Sequence, residues 1–326
     1  MEGAQDMSTT DIPGRRPHQK YEQLIMRAKQ VPPAKTVVVH PCDESSLRGA
    51  VDAAGARLIV PVLVGPKEKI KAVAEKYRLD ISSFEIVHAD HSEAAAAKGV
   101  QLIQEAKGEI LMKGSLHTDE LMRSVTSGSS GLRTARRISH VFIMDVPTYK
   151  ETLLITDAAV NIFPDLACKR DIVQNAIDLY TQIGHATPRV AILSAVETVT
   201  PKIPSTIDAA ALCKMADRGQ ITGGILDGPL AFDNAIDPEA AEIKGIKSPV
   251  AGQAQILVVP DLEAGNMLAK NLTFLLKADA AGIVLGARVP IILTSRADSL
   301  RARMASCAVA ALYADARRRA VSLPAA

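Results

Sequence analysis

Short runs of β-branched and aliphatic residues alternate along the chain with longer Ala-, Leu-, Lys- and Glu-rich stretches. Runs without polar interruption, such as 58–64, read as strands buried on both faces, the pattern of a sheet covered by helices. Strands are predicted at 36–39, 58–64, 84–87, 109–112, 140–146, 153–156, 190–194, 256–259, 283–285 and 289–293. Helical patterns fill 45–55, 66–77, 92–106, 169–183, 206–217, 262–276 and 298–319. Such alternation specifies an α/β fold around a largely parallel sheet. The predicted strands exceed the usual sheet of about four to six, and the chain breaks at Val146-Pro147-Thr148 and again near 282–286. Two α/β domains follow, one of 19–146 plus 284–326 and one of 147–283, behind a polar leader at 1–18 that reads as disordered.

Composition narrows the function. The 326 residues carry 38 Lys+Arg against 36 Asp+Glu, a formal net charge of +2. That balance gives no electrostatic footprint for duplex nucleic acid or an anionic membrane. Aromatics make up 3% with no Trp, too few for a base-stacking platform. No apolar run approaches the ~20 residues of a membrane span, and the first residues lack the apolar core of a signal peptide, so a soluble, cytoplasmic protein is expected. Cys42, Cys168, Cys213 and Cys307 show no C-x-x-C spacing and read as reduced thiols. His40, His88, His91, His117 and His140 form no H-x-x-x-H pair. Asp227, Asp233 and Asp237 sit among Gly-Pro and Asp-Pro turn signals, so no metal site is expected.

Candidate chemistry lies at strand-to-helix junctions, because ligands of parallel sheets bind beyond the carboxyl ends of strands, beside free helix N–H groups. In Pro290-Ile-Ile-Leu-Thr-Ser-Arg-Ala-Asp298, Thr294, Ser295 and Arg296 stand at a strand end and Asp298 at a helix start. A guanidinium beside hydroxyls suits a phosphate or carboxylate; the alternative is plain helix capping by Ser295 or Asp298. A second junction, Lys113-Gly114-Ser115-Leu116-His117-Thr118, leads to Arg123, a Ser/Gly loop at 126–131, and then Arg133, Arg136 and Arg137. These arginines make either a local anion-binding surface or a solvated loop. Pro260-Asp-Leu-Glu-Ala-Gly-Asn266 opens another helix, where Gly265 and Asn266 allow backbone to approach a ligand.

The segments LMKGSLHTDELMR (111–123), GLRTARRISHVFIMDVP (131–147), ITDAAVNIFPD (155–165), KSPVAGQAQILVVPDLEAGNMLAKNL (247–272) and PIILTSRADS (290–299) occur in this order. Together they resemble the phosphate acetyltransferase/phosphate butyryltransferase family over nearly the whole chain except the leader. GLRTARRISHV and TSRADS look closer to the butyryl branch, whereas the middle segment also resembles phosphate acetyltransferase domains fused to a hydratase. The resemblance implies a two-domain fold like that of isocitrate and isopropylmalate dehydrogenases, an active site in the interdomain cleft, and a homodimer. The implied reaction is reversible transfer of a short acyl group, acetyl favoured, between coenzyme A and inorganic phosphate by direct attack in a ternary complex. Coenzyme A is then a substrate, and no cofactor or metal is implied.

By the same match, Ser295 and Arg296 are the family's active-site Ser-Arg pair, and Arg123 and Arg133 fall at its anion-binding arginines. Ser115, Thr118, Ser139, Asn161 and Asn266 complete the expected substrate-binding set. The Asp that follows the Ser by seven positions in the acetyl branch is Ala302 here, which leaves Asp298 as the nearest carboxylate for a base. Phosphate butyryltransferase activity is one alternative. A non-catalytic protein whose cleft closes on a phosphorylated metabolite is another.

Overall fold

The computed structural model describes residues 19–293 and 298–322, so residues 1–18 and 294–297, with Ser295 and Arg296, lie outside the described residues. Among the described residues the strands are β1 (Ala34–Val39), β2 (Ile59–Gly65), β3 (Glu85–His88), β4 (Ile110–Lys113), β5 (Ser139–Asp145), β6 (Leu153–Thr156), β7 (Arg189–Leu193), β8 (Ile225–Leu230), β9 (Ile256–Val258), β10 (Asp279–Leu285) and β11 (Ile291–Ile292). They form one sheet in the order β3-β2-β1-β4-β11-β10-β5-β6-β9-β7-β8. The helices are α1 (Gln19–Ala28), α2 (Glu44–Gly55), α3 (Lys67–Lys76), α4 (Ser92–Gln104), α5 (Thr118–Thr126), α6 (Leu166–Gln182), α7 (Pro204–Asp217), α8 (Phe232–Ile236), α9 (Pro238–Ile243), α10 (Leu262–Phe274) and α11 (Leu300–Ser322).

The sheet is parallel except where β10 meets β11 and β5, and where β5 meets β6. These reversals decide where a site can form. β1, β2, β3, β4 and β11 all run one way, whereas β6, β7, β8 and β9 run the other. Their carboxyl ends, where helix N-termini collect, open on opposite edges of the sheet. The sheet continues through both predicted chain breaks, since β5 pairs with β6 across the first and β10 spans the second.

Helices cover both faces, as the apolar strands require. Val38 of β1 joins a core with α1, α2, α6, α7 and α11, while Val37 and Val39 point to the opposite face and pack with α4 and α5. On that opposite face, β6, β7 and β9 pack with α8 and α10. Helix α11 is central. Ala305, Cys307, Ala308, Val309, Ala310 and Ala311 are fully buried, small residues around the whole helix that let it lie against β10 with α1, α2 and α6 beside it.

Five elements were not foreseen: β8, α5, α1 and the short α8 and α9. β8 carries Asp227-Gly228-Pro229, a turn signal in the sequence, yet it is the last strand of the sheet. Proline is tolerated at an edge, where its missing N–H costs no ladder bond. α5 forms just ahead of the 126–131 loop because Leu121 and Val125, one turn apart, are both buried. α1 is held by Tyr21, Leu24 and Ala28, which repeat at helical spacing toward the core.

Candidate functional site

At the first edge, β1, β2 and β4 end around His40. His40 takes a left-handed backbone (φ 55°), its N–H donates to Val64 O at 2.6 Å, and its carbonyl accepts from Ser115 N–H at 2.9 Å. Gly114 makes this approach possible: a Cβ there would stand 2.4 Å from Val39 O and 2.5 Å from His40 O. Ser115 Oγ donates to His40 O at 2.8 Å, accepts from Cys42 N–H at 3.2 Å, and lies 3.0 Å from His40 Nδ1. Burial, then the nearby Lys69 charge, lowers the His40 pKa. Burial pushes the Cys42 thiol up to about 11, so it stays protonated and is a poor nucleophile. Thr118 is exposed in the first turn of α5.

The C-terminal junction opens on the same edge. β11 lies beside β4 in parallel, with Ile292 opposite Met112. Ser295 and Arg296 lie outside the described residues. Beyond them Asp298 is half-buried. The helix cap is Ser299 rather than Asp298: Ser299 Oγ accepts from Ala302 N–H at 3.1 Å. Asp298 shares its surroundings with Asp279 and Asp145. Burial first, then the charges of Asp279, Asp145 and Asp298, pushes the Tyr21 phenol well above its ordinary range. Lys20 pairs with Asp145 at 3.2 Å and Arg301 with Asp279 at 3.5 Å. A cavity of about 540 Å³, lined by Ile25, Asp279, Ser299, Leu300, Arg301 and Met304, opens beside this helix start.

A different construction occupies the opposite edge. After β6 the buried Asp157 carboxylate accepts from Ala159 N–H (3.0 Å), Val160 N–H (3.1 Å), Asn161 N–H (3.2 Å) and Asn161 Nδ2 (2.6 Å). Asn161 Nδ2 also donates to Ile138 O at 2.8 Å, and Asn161 Oδ1 accepts from Cys168 Sγ at 3.4 Å. Asn175 Nδ2 donates to Ser139 Oγ at 2.9 Å and to Arg137 O at 3.0 Å. Asn266 Nδ2 donates to Ala158 O at 3.3 Å. Gly265 brings α10 against this loop, since a Cβ there would stand 3.0 Å from Asp157 O. His140 is buried with its Nδ1 unpartnered. Burial, opposed by the Asp157 charge, lowers its pKa to about 4.

Ser139, Asn161 and Asn266 therefore lie at one edge, and Ser115, Thr118 and Asp298 at the other. Ser115 and Ser139 follow and open strands three places apart, which at ~4.8 Å per strand and ~3.3 Å per residue separates them by roughly 20 Å. Arg123 is exposed on α5, in a cleft of about 370 Å³ between α4, α5 and the serines of the following loop. Arg133 is exposed and bridges Ala287 at the β5 edge. Arg136 is tied to Asp178 in an ion pair. Of the aspartates read as turn residues, Asp233 pairs with Lys244 at 3.0 Å and Asp237 caps α9; no cluster fit to hold a metal ion occurs among the described residues. Sequence reasoning missed Asp157. Its signal is an Asp closing a strand before a small-residue loop that ends in Asn, where a carboxylate gathers the backbone N–H groups ahead of it.

The sequence model of the family described as Phosphate acetyl/butaryl transferase matches residues 92–311. A phosphate acetyltransferase of Rhizobium meliloti is 72% identical over 306 residues, covering 94% of this chain and 96% of its own. A phosphate butyryltransferase of Clostridium acetobutylicum is 41% identical over 294 residues, covering 90% of this chain and 98% of its own. Among solved structures, a branched-chain phosphotransacylase from Enterococcus faecalis V583 is similar with a TM-score of 0.75 at 29% identity. That match covers 86% of this chain and 99% of the other.

Proposed function

The chain belongs to the phosphate acetyl/butaryl transferase family, and from that premise we propose that it catalyses acetyl-CoA + phosphate ⇌ acetyl phosphate + CoA. The observation that carries the choice of acetyl is the 72% identity to a phosphate acetyltransferase, against 41% to a phosphate butyryltransferase. In this reading a phosphate oxygen attacks the thioester carbonyl carbon. The new C–O bond forms, the C–S bond breaks with its electron pair going to sulfur, and the proton lost by phosphate ends on the thiol of CoA. No enzyme nucleophile and no cofactor enters the balance.

Both partners are anions, so the centre needs fixed cations and oxyanion donors. Arg296 holds the phosphate, and Ser295 with the free N–H groups at the start of α11 stabilises the tetrahedral oxyanion. Asp298 takes the thiol proton in the reverse direction, from a group whose unperturbed pKa is about 8.5 if it resembles cysteine. Arg123 and Arg133 serve the phosphates of CoA, while Ser115, Thr118, Ser139, Asn161 and Asn266 line or support the substrate path. The position of Asp298 supports its part: it is half-buried at the helix start, beside a cavity of about 540 Å³. The protein acts in the cytoplasm as a homodimer, with acyl-CoA and phosphate as its partners and neither nucleic acid nor membrane. No described helix is long and apolar enough to cross a membrane.

The test is release of free thiol from acetyl-CoA, butyryl-CoA and propionyl-CoA, with and without phosphate. The expected result is phosphate-dependent release with the highest kcat/KM for acetyl-CoA, and continuous turnover when arsenate replaces phosphate. A higher kcat/KM for butyryl-CoA assigns the chain to the butyryl branch. No phosphate-dependent thiol release from any of the three contradicts the reading.

A further inference from the structure

One cation at the first edge is held without a counter-charge. Arg303 lies one turn into α11, half-buried, and its backbone N–H donates to Ser299 O at 3.1 Å. The side chain crosses to α2, where Nη1 donates to Ser45 Oγ and, at 3.4 Å, to Ser45 O. Because α2 begins just beyond the end of β1, the guanidinium stands at the same edge as His40, Ser115 and Asp298. Gly49 gives the side chain its seat: a Cβ there would stand 3.3 Å from Arg303 Cδ and 3.9 Å from its Nε. Glycine inside a helix is destabilising relative to alanine, so α2 gives up stability at the place where Arg303 crosses it.

Neighbouring charges are matched. Arg301 pairs with Asp279 at 3.5 Å. At the start of α2, Asp43 accepts from Ser46 N–H at 2.8 Å and Glu44 pairs with Arg48 at 2.9 Å. Arg303 makes no ion pair among the described residues, and both its bonds end on neutral oxygens of Ser45. Its Nε is buried with no partner; Nη2 also lacks a bond among the described residues but, unlike Nε, is reached by solvent. A half-buried cation with an idle donor is costly until an anion completes it.

We propose that Arg303 is a further substrate-binding residue, its guanidinium seated between α2 and α11 so that Nη2 holds a phosphate group of a substrate. The inference rests on the acyl-transfer reading above and adds a cation to it. A guanidinium presents N–H donors in a fixed fork that fits phosphate oxygens, and the seat on Gly49 with the clamp at Ser45 fixes where that fork points. Inorganic phosphate and coenzyme A both carry such a group, and the contact with Nη2 is the same for either. Ser45 and Gly49 are positioning residues and touch no substrate.

A cation kept for a ligand differs from a structural tie in what its removal does: binding suffers and folding does not. Arg303→Met keeps the apolar stem and removes the charge. In phosphate-free buffer its unfolding midpoint is expected at or above that of the wild type. KM for one substrate should rise by about tenfold or more, with a smaller change in kcat, and Arg303→Lys should recover part of the loss. Ser45→Ala, which keeps the charge and frees the guanidinium, should raise the same KM about threefold. A rise in KM for phosphate assigns the bound group to inorganic phosphate, and a rise in KM for acetyl-CoA alone assigns it to CoA. Two unmoved KM values, or a sharply lower midpoint in phosphate-free buffer, overturn the inference and leave Arg303 a tie between helices. A wild type without phosphate-dependent thiol release overturns the reaction instead. The rise in midpoint given by saturating phosphate or CoA then decides the inference, smaller in Arg303→Met if it holds and equal to wild type if it fails.

Discussion

The two edges of the sheet are built on different physics. At the edge where β1, β2, β4 and β11 end, backbone meets backbone. Gly114 admits the His40 and Val39 carbonyls within 2.5 Å of where its Cβ would be, and Ser115 stitches the junction with hydrogen bonds to His40 and Cys42. At the edge where β6 and β9 end, one buried carboxylate, Asp157, collects donors from Ala159, Val160 and Asn161. The first edge depends on the absence of an atom. The second depends on a charge and on the neutrality of its neighbour His140. The contrast teaches that junctions of one sheet can be held by sterics on one side and by electrostatics on the other.

The largest effect is expected from Gly114→Ala. The added methyl meets backbone carbonyls that no rotamer change can move, and overpacking of this kind costs about 3 kcal/mol or more. The denaturant midpoint should fall sharply, and a midpoint near wild type would erase the steric half of the contrast. Asp157→Asn comes next. It keeps one acceptor oxygen but points an NH₂ group at donors, and buried unsatisfied groups cost ~1–3 kcal/mol each. A loss of about 2–4 kcal/mol is expected, where an exposed Asp→Asn change moves stability by less than ~0.5 kcal/mol.

A smaller effect is set by pH. His140 has a folded pKa near 4 against about 6.5 in the unfolded chain. Between those values the unfolded state binds the extra proton, so stability falls as pH drops below 6.5 and levels off below 4. From neutral pH to pH 5 this amounts to about 2 kcal/mol at 1.36 kcal/mol per pK unit. His140→Gln should remove most of that slope, and an unchanged slope would place the acid sensitivity elsewhere.

Much of this was legible in the sequence, for physical reasons that also explain the gaps. Strands such as β1, β2 and β5 announce themselves because burial on both faces demands unbroken apolar runs. β8 hid because an edge strand tolerates the Gly-Pro that elsewhere ends one. Gly114 and Ser115 stood out as a Gly-Ser strand exit, a signal carried by composition. The Asp157 network did not, because Asn161 was marked by family resemblance alone and its tie to Ile138 O, 23 residues away, is made only by folding.

The central claim is that the reaction is run from the first edge, by the residues between β11 and α11. Measuring kcat/KM and the thermal midpoint of Arg296→Ala side by side tests it most directly. The account predicts a fall in kcat/KM of at least about a thousandfold, more than ~4 kcal/mol of transition-state stabilisation, with the midpoint nearly unmoved. Near-normal turnover, or a midpoint that falls in step with activity, would contradict it.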